Sequence, residues 1–360
     1  MIHDNLRFFW TVSSGGSRKA LREAERDDTV EAHGQTLALG DVPAPESCMV
    51  SFATRANKPW PGPEWFIDSG GYSTLLGNSE YEDPIREYLE FIREHEQRDG
   101  VTIDRYALRD WACESKVLRK HGRTARQHQE WTIRDHVECL ELAEEIGVEA
   151  EPVSVLQGYT VPEYLEHLDY YREHGLLSDH VGIGSVCRRN ADEEIRSTIL
   201  QVSEALPDRC RLHAFGVKKT VLRFPDVVMA LDSVDSNAWD YAVRMDAESN
   251  ASTEGHRYTW DRITRAYQSY RADVLEQLDA VDGDGHPITV KSLADFTDAD
   301  LREKPYPIAK CRCGELVNPN YLADQTGACR YCDRLILTLR DHTMNPDHPM
   351  YDPETAPLNG

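Results

Sequence analysis

The chain has 360 residues, with 63 acidic against 40 basic side chains and a formal net charge of −23. Forty per cent of the residues are hydrophobic, which is enough for a sizeable core and excludes a largely disordered chain. No run of 18 apolar residues occurs, which excludes a membrane-spanning helix, and the first residues lack the basic and apolar regions of a signal peptide. We therefore expect an intracellular, cytoplasmic protein with one large domain and a small appendage, or with two domains.

The acidic surplus argues against a simple basic nucleic-acid binder, but the acidic residues are spread along the chain. Lysine is also scarce. This composition is typical of a halophilic protein. In strong salt the electrostatic screening length falls to about 3 Å at 1 M, so that repulsion between surface acids is largely removed. An ordinary acidic enzyme is the alternative, and in both cases local charge clusters are better guides to partners than the net charge.

Eight short apolar runs recur along the chain, and each is closed by a polar or turn-like segment. Such runs are typical of strands that are covered on both faces. The runs are 7–13, 48–53, 65–70, 105–110, 152–158, 180–186, 211–217 and 227–233.

Amphipathic stretches that predict helices lie between several of these runs, at 82–98, 125–147, 161–174 and 191–206. Gly147 is the expected end of the second helix. Alternating strands and helices predict a parallel sheet, and eight strands favour an α/β (β/α)₈ TIM barrel. The alternative is an open, doubly wound sheet.

The pattern changes after the eighth run. Residues 247–256 are loop-like, and 257–281 predict a long helix that is half core and half surface, with base stacking by its aromatic residues as the alternative. We expect the barrel to span 1–255. A C-terminal helix plus a zinc-binding subdomain at 256–342 would complete it, followed by a disordered tail at 343–360.

Polar or glycine-rich residues lie in or after most of the runs. Because the carboxyl ends of barrel strands meet at one mouth, we expect these residues to form one site. They are Asp68, Ser69, Gly70, Tyr72, Asp110, Gln157, Gly184, Ser185, Gly216 and Asp235. Carboxylates and an amide can pair with the edge of a heterocycle, and two carboxylates beside one sugar can perform glycosyl transfer. For any single residue, the alternative is a helix cap or a turn.

Five segments resemble the tRNA-guanine transglycosylase superfamily, in the order found there. They are FIDSGGYSTL at 66–75, VLQGY at 155–159, GIGS at 182–185, AFGV at 214–217 and ALDSVDS at 230–236. The resemblance implies a zinc-bearing (β/α)₈ barrel that exchanges guanine in a nucleic acid for a 7-deazaguanine base.

The resemblance also implies roles for the strand-end residues. Asp235 would be the nucleophile that attacks C1′ and forms a glycosyl-enzyme ester, and Asp68 would be the general base toward the incoming base. Asp110 and Gln157 would hydrogen-bond the purine edge. The other residues expected to line the base pocket are Ser69, Gly70, Tyr72, Gly184, Ser185 and Gly216.

Three departures from the tRNA enzymes bear on the polymer substrate. Ser185 replaces the second glycine of a pair, Val234 replaces a phenylalanine, and 237–239 replace a Pro-Thr-Arg segment that helps to hold RNA. The segment at 110–114 is closer to the DpdA-like branch, which inserts 7-deazaguanines into DNA. We therefore expect a guanine transglycosylase acting on DNA, with a homodimer or a helper subunit left open. The alternatives are exchange on tRNA, a catalytically silent nucleic-acid-binding barrel and a small-glycoside hydrolase.

Four cysteines form a cluster in which Cys311-x-Cys313 and Cys329-x-x-Cys332 are separated by fifteen residues. Such pairs present four thiolates to one tetrahedral Zn²⁺, which predicts a closed, structural zinc site. The alternative is two disulfides or unligated thiols. The other five cysteines are scattered, which argues against a disulfide framework.

Basic residues gather after three of the runs in an otherwise acidic chain. They are Lys116, Arg119, Lys120, Arg123, Arg126, Arg134, Arg188, Arg189, Lys218, Lys219 and Arg223. Their place on the expected active face predicts contacts with nucleic-acid phosphates. The alternative is that they pair with the abundant surface acids.

Overall fold

A computed structural model describes residues 6–22, 29–32, 35–38, 45–54, 62, 64–78, 80–186, 192–250, 255–279, 309–310 and 316–317. The chain divides into two units, Met1–Ile288 and Thr289–Gly360. The first unit contains the barrel and the long helix that was predicted near its end. The predicted domain boundaries at 255 and 342 stay predictions.

Eight parallel strands close into a barrel in which each strand pairs with the next one along the chain, and the last pairs with the first. They are β1 (Arg7–Val12), β4 (Ser47–Ser51), β5 (Glu64–Asp68), β6 (Thr102–Ala107), β7 (Glu151–Leu156), β8 (His180–Ile183), β9 (Arg211–Ala214) and β10 (Ser233–Ser236). A separate antiparallel hairpin of β2 (Thr29–Ala32) and β3 (Gln35–Ala38) lies between the first two of them in the chain. The closed parallel barrel confirms the predicted fold class and excludes the open sheet.

Helices alternate with the barrel strands. They are α1 (Gly15–Arg22), α2 (Gly71–Gly77), α3 (Ile85–Glu96), α4 (Ser115–His121), α5 (Ala125–Ile146), α6 (Val161–Glu173), α7 (Asp192–Ala205), α8 (Pro225–Ala230), α9 (Ala238–Ser249) and α10 (Trp260–Asp279). Short 3₁₀ turns occupy Phe52–Thr54 and Lys219–Arg223. The five helices predicted from periodicity are confirmed as α3, α5, α6, α7 and α10. Gly147 ends α5 in the left-handed region at φ +80°, as expected.

The prediction of a strand at 227–233 is wrong. The apolar residues Val227 and Val228 are buried on α8, whose first turn contains Pro225, a residue preorganised for that position. The barrel strand begins only at Ser233, so that Asp235 lies within the strand and not after it. A short buried helix and a buried strand produce the same apolar run, which periodicity alone does not distinguish. The predicted loop at 247–256 is likewise corrected at its start, because α9 continues to Ser249.

The barrel interior is filled by large apolar side chains from consecutive strands. The cluster consists of Phe9, Met49, Phe66, Ala107, Val153 and Val155, with Phe215 packed against it. Phe9 and Phe66 meet edge to face, with ring centroids 5.4 Å apart. These side chains fill the barrel below its carboxyl-end mouth. The interior is therefore a packed core and not a pore, and a ligand can reach only the mouth.

The long helix α10 packs onto the barrel through its apolar face. Tyr267 is fully buried and meets Trp10 and Trp239 edge to face, and Tyr270 is 8 % exposed and donates to Ser236 Oγ at 3.0 Å. These two rings therefore serve the core and are not available to stack on bases. No helix in the described ranges is both long enough and apolar enough to cross a lipid bilayer.

The second unit is described only at β11 (Ala309–Lys310) and β12 (Leu316–Val317). These two short strands pair antiparallel, with Ala309 opposite Val317. Cys311, Cys313, Cys329 and Cys332 lie outside the described residues, and so do Arg188, Arg189 and the predicted tail at 343–360.

Candidate active site

The carboxyl ends of five barrel strands bring predicted polar residues to one mouth. Asp68 is the last residue of β5, and Asp235 lies near the end of β10. Asp110, Gln157 and Ser185 follow β6, β7 and β8. The parallel closed barrel makes these positions neighbours although they are far apart in the chain.

Asp235 is 4 % exposed, and its carboxylate accepts hydrogen bonds from three other strands or strand ends. Thr11 Oγ1 donates to Oδ2 at 2.6 Å, and the Gly216 amide donates to Oδ1 at 2.7 Å. His213 Nε2 lies 3.4 Å from the same Oδ1. These hydrogen bonds hold the Asp235 carboxyl group in one orientation.

His213 is buried beneath Asp235 among aromatic rings, and burial lowers the pKa of its imidazole, which therefore stays neutral. Because Asp235 Oδ1 can only accept, Nε2 carries the proton and Nδ1 accepts from Ser233 Oγ at 2.9 Å. The neutral ring thus orients the carboxylate without adding a charge.

Asp68 lies partly exposed at the mouth. Burial, and after it the charges of Asp110 and Asp235, raise the pKa of Asp68 to about 7, against hydrogen bonds from Ser51 and the Gly70 amide that lower it. A carboxyl group with this pKa is present in both protonation states at neutral pH. It can therefore take up or release a proton.

Asp110 and Gln157 form a buried hydrogen-bonded pair beside these carboxyls. Gln157 Nε2 donates to Asp110 Oδ2, and Ser69 Oγ donates to Asp110 Oδ1 at 2.9 Å. Burial raises the pKa of Asp110 to about 6, which leaves it mostly ionised at neutral pH, and these two hydrogen bonds oppose the rise. The pair offers acceptor and donor atoms side by side, as the edge of a purine requires.

Gly184 allows its backbone to lie close to the side-chain amide of Gln157. A Cβ at this position would lie 2.2 Å from Gln157 Nε2, so any side chain here would displace the amide. The predicted base-binding turn at Gly184 and Ser185 therefore lies directly against Gln157.

A family model described as DeoxyPurine in DNA protein A matches residues 37–316, which is more than half of the chain. The chain belongs to this family. The match confirms the resemblance to the branch that modifies DNA. Membership in the DeoxyPurine in DNA family indicates a transglycosylase-type enzyme that acts on DNA with a 7-deazaguanine substrate. No protein in the curated set matches the chain significantly.

Two further residues that were predicted to line the base pocket contact other parts of the protein. Tyr72, on α2, is partly buried against an apolar cluster that contains Leu75 and Trp111. Gly216 directs its amide to Asp235. The stacking of Tyr72 on a base stays a prediction, while Gly216 contacts the carboxylate that is expected to meet the sugar.

Four of the basic side chains are paired with acids of the chain, as the alternative to phosphate contacts predicts. Arg126 pairs with Glu130 and Glu166, Arg134 with Asp135, Lys219 with Asp273 and Arg223 with Asp192. Arg126 and Arg134 are exposed residues of α5. Lys116 and Arg123 are exposed near the mouth, and the Arg123 guanidinium lies over the Trp131 ring, 5.2 Å from its centroid. Contact with nucleic-acid phosphates stays a prediction for the whole set of basic residues.

Sequence reasoning missed Thr11 and His213, the side chains that hold Asp235. Both are polar residues inside apolar runs, at 7–13 and 211–217. A polar side chain in a strand that is otherwise covered on both faces needs a buried partner, and this is the signal that could have identified them. Within the described residues, no group of three or more potential metal ligands occurs.

Proposed function

We propose that the protein exchanges guanine in DNA for a 7-deazaguanine base through a covalent ester on Asp235. The observation that carries the proposal is the contrast between two carboxyls at one mouth. Asp235 accepts three hydrogen bonds that orient its carboxyl group toward the mouth, and Asp68 has a pKa raised to about 7. Retaining glycosyl transfer needs this division into a nucleophile and a proton-transfer group.

In the first displacement, a carboxylate oxygen of Asp235 attacks C1′ of a deoxyguanosine that has been extruded from the duplex. The C1′–N9 bond breaks, its electron pair leaves with guanine, and protonated Asp68 supplies the proton. Extrusion of the nucleotide costs a few kcal/mol, which contacts with the pocket offset.

In the second displacement, the 7-deazaguanine base takes the place of guanine. Asp68, now ionised, accepts the N9 proton, and N9 attacks C1′ while the ester C–O bond breaks. Asp235 is regenerated as a carboxylate. Two inversions retain the configuration of the sugar.

Asp110 and Gln157 are proposed to select the base. The ionised Asp110 accepts hydrogen bonds from N1–H and the 2-amino group, and Gln157 Nε2 donates its second hydrogen to the 6-oxo group. Both guanine and 7-deazaguanine carry these groups, so one pocket serves both halves of the reaction.

The reaction is tested with DNA and with tRNA that carry radiolabelled guanine, at low and at molar salt. We expect release of label from DNA that depends on an added 7-deazaguanine base. Release from tRNA alone would show that the polymer is misassigned. Release from neither polymer, with folded protein and zinc present, would overturn the proposed activity.

We also propose that Cys311, Cys313, Cys329 and Cys332 bind one structural Zn²⁺ as thiolates, which rests on their spacing in the sequence. Elemental analysis of dialysed protein should give about one zinc per chain. The double variant Cys329→Ser/Cys332→Ser should lose the metal, while the control Cys210→Ser should keep it. Zinc-free, fully folded wild-type protein would contradict this assignment.

A further inference from the structure

Ser185 has an unusual backbone conformation. Among the residues whose backbone the structure describes, it is the one non-glycine residue with a positive φ, at +56°. The left-handed region is strained for a residue with a Cβ, whereas glycine enters it freely. Strain of this kind persists only where the surrounding contacts hold the residue, and it is common at ligand sites.

The Ser185 hydroxyl lies within a directed set of hydrogen bonds. The amide of Cys113, which can only donate, reaches Ser185 Oγ at 3.0 Å and Gln157 Oε1 at 3.3 Å. Ser185 Oγ therefore accepts from Cys113 and directs its own hydrogen to Gln157 Oε1 at 2.6 Å. Two donors at Oε1, together with the Asp110 carboxylate that accepts from Nε2, determine which end of the Gln157 amide is the oxygen.

This orientation determines what Gln157 offers to a ligand. With Oε1 held by Ser185 and Cys113, Nε2 faces Asp110 and keeps one hydrogen for another acceptor. A 6-oxo purine supplies that acceptor, and a 6-amino purine presents a donor instead. If the amide rotated by 180°, its oxygen would face position 6 and would favour a donor there.

We propose that Ser185 is a positioning residue that sets the 6-oxo specificity of the base pocket by holding the Gln157 amide in one orientation. The inference rests on the proposed function, because it assumes that a purine edge binds at Asp110 and Gln157. Ser185 is 6 % exposed and acts through Gln157, without contributing its own hydroxyl to the base.

Two substitutions separate this role from a merely structural one. Ser185→Gly removes the hydroxyl and also relieves the backbone strain, whereas Ser185→Ala removes the hydroxyl and keeps the strain. A structural role predicts that Ser185→Gly is neutral or beneficial in every assay. A positioning role predicts that both variants lose specificity while the glycine variant keeps or gains thermal stability.

The measurement is calorimetric binding of guanine and of 2,6-diaminopurine at pH 8, where Asp110 is ionised. The two probes share the 2-amino group and differ at position 6 and at N1, which carries a hydrogen in guanine and a lone pair in 2,6-diaminopurine; the N1 difference is the same for every variant, so a change of the ratio reports on position 6. We express the specificity as the Kd of 2,6-diaminopurine divided by the Kd of guanine. This ratio should fall about tenfold in both variants, which is the effect of one hydrogen bond. The control Ser154→Ala removes another buried serine hydroxyl, which bonds Ser178 at 2.9 Å, and should leave the ratio unchanged.

The outcomes distinguish the inference from the proposed function. An unchanged ratio in Ser185→Gly and Ser185→Ala overturns the positioning role while base binding stands. Failure of the wild-type protein to bind either purine overturns the proposed base pocket and the inference with it.

Discussion

Replacement of Asp235 by asparagine is expected to lower the rate of guanine release from DNA by at least about a thousandfold. An amide is too weak a nucleophile to form the ester. Its NH₂ group would also face Thr11 or the Gly216 amide, both of which donate to the native carboxylate. The measurement is single-turnover release of labelled guanine, together with detection of a protein–DNA adduct on a denaturing gel when no acceptor base is added.

Two controls accompany this variant. Asp232→Asn changes a half-exposed aspartate just before β10, at the opposite end of the barrel strand, and should retain the wild-type rate. Asp235→Asn should still bind guanine, because Asp110 and Gln157 are intact, and this binding shows that the pocket is folded. A variant that binds guanine and still forms the adduct would eliminate Asp235 as the nucleophile.

Replacement of Asp68 by asparagine is expected to lower the exchange rate by about a hundredfold or more, since a general acid–base group typically contributes 10²–10⁴. With a pKa of about 7, ionised Asp68 becomes available as a base as the pH rises from about 6 to 8. The wild-type kcat/KM for the incoming base should therefore rise over this range. In Asp68→Asn the rise should shift to lower pH, where Asp110, with a pKa of about 6, still titrates.

Asp68 also makes the stability of the folded protein depend on pH. The pKa of Asp68 is raised in the folded protein from an ordinary value of 3.8, so the folded state binds its proton more tightly than the unfolded state. Wild-type stability relative to Asp68→Asn should therefore be greatest below pH 4 and should fall as the pH rises to about 7. Thermal unfolding of both proteins over this range measures the difference.

Asp99→Asn is the matched control for both experiments, because Asp99 is exposed between α3 and β6, remote from the strand ends. Its rate profile and its stability should follow those of the wild-type protein. If Asp68→Asn retained the wild-type pH profile, Asp68 would not be the proton-transfer group at this mouth.

Strand-end residues were predictable because the barrel itself was predictable. Near-continuous apolar runs between amphipathic helices identify a parallel barrel, and a parallel barrel gathers the carboxyl ends of its strands. Asp68, Asp110 and Gln157 could be placed together on this basis. The run at 227–233 failed because burial on α8 and burial in a strand leave the same apolar signature.

Contacts between side chains from different segments could not be predicted, because they depend on distances that sequence spacing does not contain. The basic cluster at 116–134 shows this most clearly. Few acidic residues lie near Arg126 in the sequence, but α6 brings Glu166 to within 2.8 Å of the Arg126 guanidinium. The interpretation of such a cluster as a phosphate surface therefore depends on which neighbouring elements carry acids.

The amino-acid sequence alone determined the fold class, the family resemblance and the set of polar residues at the strand ends. These follow from local periodicity and from the order of short segments. Only the tertiary structure decided the surroundings of each carboxyl. The donors Thr11 and His213 reach Asp235 from other strands, and burial beside two acids raises the pKa of Asp68. Protonation and orientation depend on the surroundings that folding assembles, so identical aspartates acquire different chemistry.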